Sequence, residues 1–203
     1  MLFRSDSAAA RWSRLVVGDQ SPVTFTLADD FSFCGGQSVN ETIDDLVIFA
    51  KIDKIDGVGA ILGQAGPCYL RDDNLLTVAG FMQFDVDDVG SLEASGQFKD
   101  VVLHEMGHVL GIGSLWNLQG LLTGGGTGDP YFTGPSARMA FAAASTAPAG
   151  FGGNAVPVEA LGGPGTRDSH WRETTLVNEL MTGFLNPGAN PLSAIDRKST
   201  RLN

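Results

Sequence analysis

Histidine is scarce in this chain, with three in 203 residues at positions 104, 108 and 170, so any chemistry that needs an imidazole must draw on these. Cysteine is scarcer still, with Cys34 and Cys68 alone. Two thiols permit at most one bridge, and a disulfide and a pair of buried free cysteines both remain open on the sequence. Basic residues are outnumbered: 13 Lys and Arg against 23 Asp and Glu give a formal net charge of −10. That leaves no basic stripe to neutralise a phosphate backbone and excludes nucleic acid as an expected partner. Nowhere do apolar residues approach the run of about 18 that a membrane-spanning helix needs. Positions 1–20 also lack the apolar block of a signal peptide, so any export signal is expected upstream of, or already removed from, this segment. No Pro-rich or charge-block linker interrupts the chain, which points to a single domain.

What is present reads as an ordinary globular protein, 43% hydrophobic and 18% charged. Of the 27 glycines, 12 crowd between positions 120 and 165, which makes that stretch mostly turns and irregular backbone. Residues 5–17 predict a helix capped by Ser5 or Asp6, with Ala9, Trp12, Leu15 and Val16 on one face and Gly18 placed to end it. Strands are predicted at 23–27, 46–52 and 75–84, each rich in β-branched or aromatic residues. Residues 97–110 predict a helix whose Val102, Leu103, Met106, Val109 and Leu110 form an apolar stripe, ended by Gly111 and Gly113. A short helix is expected at 137–144. The last residues, 196–203, are polar and aperiodic and read as a frayed or non-native tail. The fold class expected from this order is α+β.

The chemistry is concentrated in His104-Glu105-Met106-Gly107-His108, inside the predicted helix. Four residues at about 100° each bring the two imidazoles to nearly one face, a turn apart, where both can reach one metal ion. Glu105 sits beside the first, placed to act on a water without coordinating the ion. A catalytic zinc commonly takes three protein ligands plus an open water position. His170, in a loop-like segment, is the third candidate because no other histidine exists.

These residues resemble the metzincin zinc peptidases, and among them the leishmanolysin-like peptidases. Most metzincins carry H-E-x-x-H-x-x-G-x-x-H; here His104 to Gly111 fit, while Ser114 stands where the third histidine would be. Leishmanolysin-like proteins differ in the same way, taking the third ligand far downstream from a segment similar to Ser169-His170-Trp171. Met181 in Glu179-Leu180-Met181-Thr182-Gly183 looks like the family's Met-turn. The resemblance covers roughly residues 8–195 and stops short of the supporting helix that usually follows the turn.

The resemblance implies a zincin-like α+β catalytic domain over residues 1–195. An N-terminal mixed sheet with helices and an active-site helix would form an upper subdomain of about 1–111. A mostly irregular lower subdomain of about 112–195 would end in the Met-turn. It implies one Zn2+ ion held by His104, His108 and His170, Glu105 as general base, a protein or peptide substrate, a monomer, and secretion or display at the cell surface. It also implies that the strand through residues 80–84 is a cleft-edge strand that pairs with an extended peptide. Phe184 follows the turn where some metzincins use a tyrosine, and Tyr69 and Tyr131 are not placed to replace it. No pro-segment with a zinc-blocking cysteine is visible.

A non-catalytic, zinc-stabilised extracellular adhesion or binding domain is the alternative from another class, and a shortened chain that folds poorly is a third. Asp85, Asp87 and Asp88, like Asp53, Asp56, Asp72 and Asp73, lack the glycine and distal glutamate of a calcium loop and read as turn and helix-start residues. Asp168 and Glu173 flank His170, and either is a candidate to orient its ring.

Overall fold

The computed structural model describes residues 2–27, 29, 31–35, 39–144 and 155–199. It is an α+β protein, with helices and three small sheets among the described residues, and the chain divides into two compact units, Met1–Gly111 and Ile112–Arg201.

The first unit opens with helix α1 (Leu2–Ser13) and a two-stranded antiparallel ribbon of β1 (Val23–Thr24) and β2 (Thr42–Ile43). Its main sheet has β3 (Val47–Asp53), β4 (Gly63–Leu70) and β5 (Thr77–Asp85) in the order β3-β5-β4. β3 runs parallel to β5 and β4 antiparallel to it. β5 is buried along most of its length, the near-continuous apolar run of a strand covered on both faces. Helices α2 (Val86–Ser95) and α3 (Phe98–Val109) follow. An aromatic core of Phe25, Phe31, Phe49 and Tyr69 packs on Val78 and Ala79. Cys34 and Cys68 are joined as a disulfide that ties the turn at Ser32–Cys34 to β4. The buried Arg71 guanidinium donates to the carbonyls of Asp45 (2.8 Å), Thr77 (3.0 Å) and Asp44 (3.1 Å), so its desolvation is met by backbone acceptors.

Three sequence expectations need correction here. α1 lies earlier than 5–17: Ser5 and Asp6 fall inside it rather than capping it, and it ends at Ser13 rather than at Gly18. There the amides of Leu15 and Val16 both close on the Trp12 carbonyl (2.8 Å each). The predicted strand 23–27 shortens to two residues because the amide and hydroxyl of Thr26 are taken by the Asp29 carboxylate. The strand through 80–84 is not at an edge. It is the central strand β5, bonded to β3 on one side and β4 on the other, so that β3 and β4 are the edge strands of this sheet. β4 contains Pro67, which has no N–H to donate, and the register shifts between Pro67 and Tyr69, as suits an edge position.

Asp85 ends β5 and caps α2. Its fully buried carboxylate accepts from the amides of Asp87 and Asp56 (2.8 Å each), Gly57 (2.9 Å) and Ile55 (3.0 Å). Those bonds, led by Asp87 and Gly57, hold its carboxyl down at about 2. The folded value lies below the unfolded one of about 3.9. The stability Asp85 contributes is therefore complete above that unfolded value and fades as pH falls toward 2. Asp85→Ala is expected to lower the melting midpoint at neutral pH by roughly 10 °C. In acid-unfolding curves it should also flatten the loss of stability between about pH 4 and 2; an unchanged midpoint would refute this role.

The second unit carries a three-stranded antiparallel sheet of β6 (Leu122–Thr123), β7 (Tyr131–Phe132) and β8 (Val156–Pro157), with helices α4 (Pro135–Ala143), α5 (Glu173–Leu176) and α6 (Ala194–Arg197). Its centre is aromatic. Trp116 and Trp171 lie 4.4 Å apart between ring centroids, and Phe132 packs on both. Trp116 Nε1 donates to the Ser199 carbonyl (3.2 Å) and Trp171 Nε1 to Asp196 (2.8 Å). The start of the expected tail is thus structure: Asp196 and Ser199 are buried, and Ser193 and Asp196 form a reciprocal cap on α6. Residues 200–203 lie outside the described residues.

Candidate metal centre

α3 is fixed on its apolar side and presents its chemistry on the other. Val101, Val102, Met106 and Val109 are buried, and the helix packs on α1, β4 and β5. Two of its carbonyls also receive side-chain donors, Leu103 from Trp12 Nε1 (3.1 Å) and Val109 from Thr77 Oγ1 (2.6 Å). His104 and His108 lie one turn apart with Nε2 atoms 3.0 Å from each other and rings nearly perpendicular. Nitrogens this close need a proton or a cation between them. Two imidazoles on one tetrahedral zinc, with bonds of 2.0–2.1 Å, would stand roughly 3.3 Å apart.

Glu105 is buried, and desolvation pushes its carboxyl up to about 8. The start of the edge strand β4 makes room for it. A Cβ on Gly63 would stand 2.8 Å from Glu105 Oε1, so a larger residue there would push the Glu105 side chain aside.

His170 belongs to the second unit and is buried in a segment held by backbone bonds on both sides. Its carbonyl accepts from the Glu159 amide (2.9 Å), and the amide of Trp171 donates to the Met181 carbonyl (2.9 Å). His170 Nδ1 lies 3.1 Å from the Thr166 carbonyl and 3.3 Å from Ser169 Oγ, while the Ser169 hydroxyl donates to the Gly165 carbonyl (2.6 Å). A carbonyl only accepts, so the bond to Thr166 puts the proton on Nδ1 and leaves Nε2 its lone pair.

This replaces the expectation that Asp168 or Glu173 orients the ring. With a left-handed backbone (φ 67°), Asp168 sends its carboxylate to the Gly126 amide (2.9 Å). Glu173 opens α5 and accepts from Asn186 Nδ2 (2.7 Å). Backbone carbonyls exist at every residue and leave no mark in a sequence, so Thr166 had no signal there. Gly63 had one, as an isolated glycine in an extended stretch, but its partner Glu105 is distant along the chain.

One ring nitrogen from each of His104, His108 and His170 lies within 4.8 Å of the others, a group that could hold a metal ion. Among the described residues no second cluster of His, Cys, Asp or Glu meets that condition, so the acidic pairs at 53–56, 72–73 and 85–88 form none. Three neutral imidazoles suit zinc and several other first-row metals. Met181, fully buried, lies in the turn closed by the Thr182 amide on the Glu179 carbonyl (3.3 Å). Tyr69 is spent in the aromatic cluster with Phe25, Phe31 and Phe33. No family model and no curated protein matches this chain. No helix among the described residues is long and apolar enough to cross a membrane.

Proposed function

We propose that this chain is a zinc-dependent endopeptidase of the metzincin kind, similar to the leishmanolysin-like peptidases, in which His104, His108 and His170 hold one zinc ion. The observation that carries the reading is the gathering of three ring nitrogens within 4.8 Å, with a buried glutamate next to the first of them in the chain. The donor set fits the ion: three neutral nitrogens leave its positive charge intact and one of four tetrahedral positions open. When bound, zinc would polarise a peptide carbonyl and make a nearby water more acidic.

The residues of the chain do the rest. Glu105 takes a proton from the attacking water and returns it to the leaving amine, a role suited to a carboxylate that burial makes more basic than an exposed one. Thr166 and Ser169 hold the His170 ring in the tautomer that a metal needs. The substrate in this reading is an extended peptide. Its backbone adds to the outer edge of β4, the strand whose Gly63 touches Glu105. Secretion or cell-surface display of a monomer completes the reading, supported by the Cys34–Cys68 bridge, which persists in oxidising compartments.

Chelation tests it directly. The purified chain is expected to carry about one zinc ion, to cleave an unfolded protein substrate, to lose at least ~100-fold of that activity on chelation, and to regain it when zinc is restored. Cleavage that ignores the chelator would overturn the assignment.

A further inference from the structure

A fully buried carboxyl group, that of Asp196, and a half-buried one, that of Glu179, meet next to the segment that carries His170. Asp196, fully buried on α6, accepts from Trp171 Nε1 (2.8 Å) through Oδ1 and from the Ser193 amide (2.9 Å) through Oδ2. Glu179, in the turn that leads to Met181, meets the Asp196 carboxyl, and its Oε2 is buried without a hydrogen-bond partner among the described residues. Two carboxyl oxygens can bond to one another only with a proton between them. The cations of the elements around the pair are Arg138 on α4, which packs on α6, and Arg197 and Lys198 at the end of α6. Arg197 Nε is directed to the Ser193 carbonyl (2.9 Å).

We propose that Glu179 and Asp196 form an acid latch, in which one shared proton holds α6 to the Met181 turn and to the indole of Trp171, making Asp196 a positioning residue for the adjacent His170. Burial raises both carboxyls; for Asp196, well above the usual range, the neighbouring Glu179 charge adds to the effect. The folded chain therefore keeps a proton that the unfolded chain releases. Stability falls as pH rises from the ordinary carboxyl range upward, with a slope of up to about one proton, until the pair ionises. Losing that proton sets two like charges against each other, one of them fully buried, and the repulsion displaces the Asp196 carboxylate against which the Trp171 indole rests. The latch stands without a metal; its consequence for metal binding rests on the three-histidine centre proposed above.

Glu179→Gln tests it, because the amide donates permanently to Asp196. Thermal unfolding of the full chain across pH 5–9 is expected to show a shallower decline in the variant than in wild type, by up to about one proton. The alkaline shift of tryptophan emission in wild type is expected to vanish in the variant. With zinc alone as the probe, the ratio of wild-type to variant Kd should rise about tenfold across the same range. Parallel stability curves would overturn the latch. Curves that diverge with no zinc bound by either chain would uphold the latch and sink the metal centre instead. Should Glu179→Gln not fold, the infrared spectrum of Glu105→Gln decides. With the other raised carboxyl removed, a protonated-carboxyl band at neutral pH is expected to remain, and its absence would overturn the proposal.

Discussion

Glu105→Gln is expected to keep about one zinc ion per chain and to lose about 10³-fold in kcat/KM on an unfolded protein substrate. Glutamine has nearly the same shape, so the pocket beside Gly63 still fits it. Its amide cannot accept a proton, so the water is no longer activated and the amine leaves without its proton. The folded chain should not suffer, because a buried carboxyl whose pKa is pushed to about 8 already costs free energy to hold, and a neutral amide removes that cost. The expected pattern is thus unchanged zinc content and an unchanged or higher melting midpoint, with turnover gone. Full cleavage by the variant would remove Glu105 from the mechanism. Zinc at one per chain with no turnover by wild type under any condition would favour the adhesion or binding domain instead.

Much of the site was legible because its signals are local. In α3, both the apolar stripe from Val102 to Val109 and the one-turn spacing of His104 and His108 follow from helical geometry, and a chain with three histidines leaves few choices for a third ligand. β5 was legible for the same reason, as a long apolar run bounded by a capping aspartate. β4 was not, because Gly63, Gly66 and Pro67 are loop residues by propensity. That segment is a strand only because β5 and a disulfide hold it there. α2 was legible only at its start, where Asp85, Asp87 and Asp88 read as turn and helix-start residues, since Gly90 and two serines give its interior little helical preference of its own. α6 shows the limit most clearly. Its Ser193 and Asp196 spacing is a capping signal, yet polar Asp196 reads as solvated, and only the indole of Trp171, distant along the chain, explains its burial.

Gly113→Ala is expected to destabilise the chain by about 3 kcal/mol or more, a fall of roughly 10 °C in melting midpoint, and to weaken zinc binding at least ~10-fold. Two effects add. Gly113 has φ 77°, where any Cβ costs about 1–2 kcal/mol. The new Cβ would also overlap the Ser169 carbonyl oxygen and stand 2.7 Å from its carbon and 3.0 Å from its Cα. All three are backbone atoms, so no rotamer change relieves the overlap and the 169 peptide itself must move. Ser169 precedes His170 and its hydroxyl lies against the ring's Nδ1, so the displacement reaches the His170 imidazole directly. Gly120→Ala separates the two effects: φ is 68° there and nothing lies within 4 Å of the added Cβ, so it should show the conformational cost alone and leave zinc affinity intact. Equal melting midpoints and equal zinc affinities for the two variants would mean that the approach of Gly113 to Ser169 does not hold His170 in place.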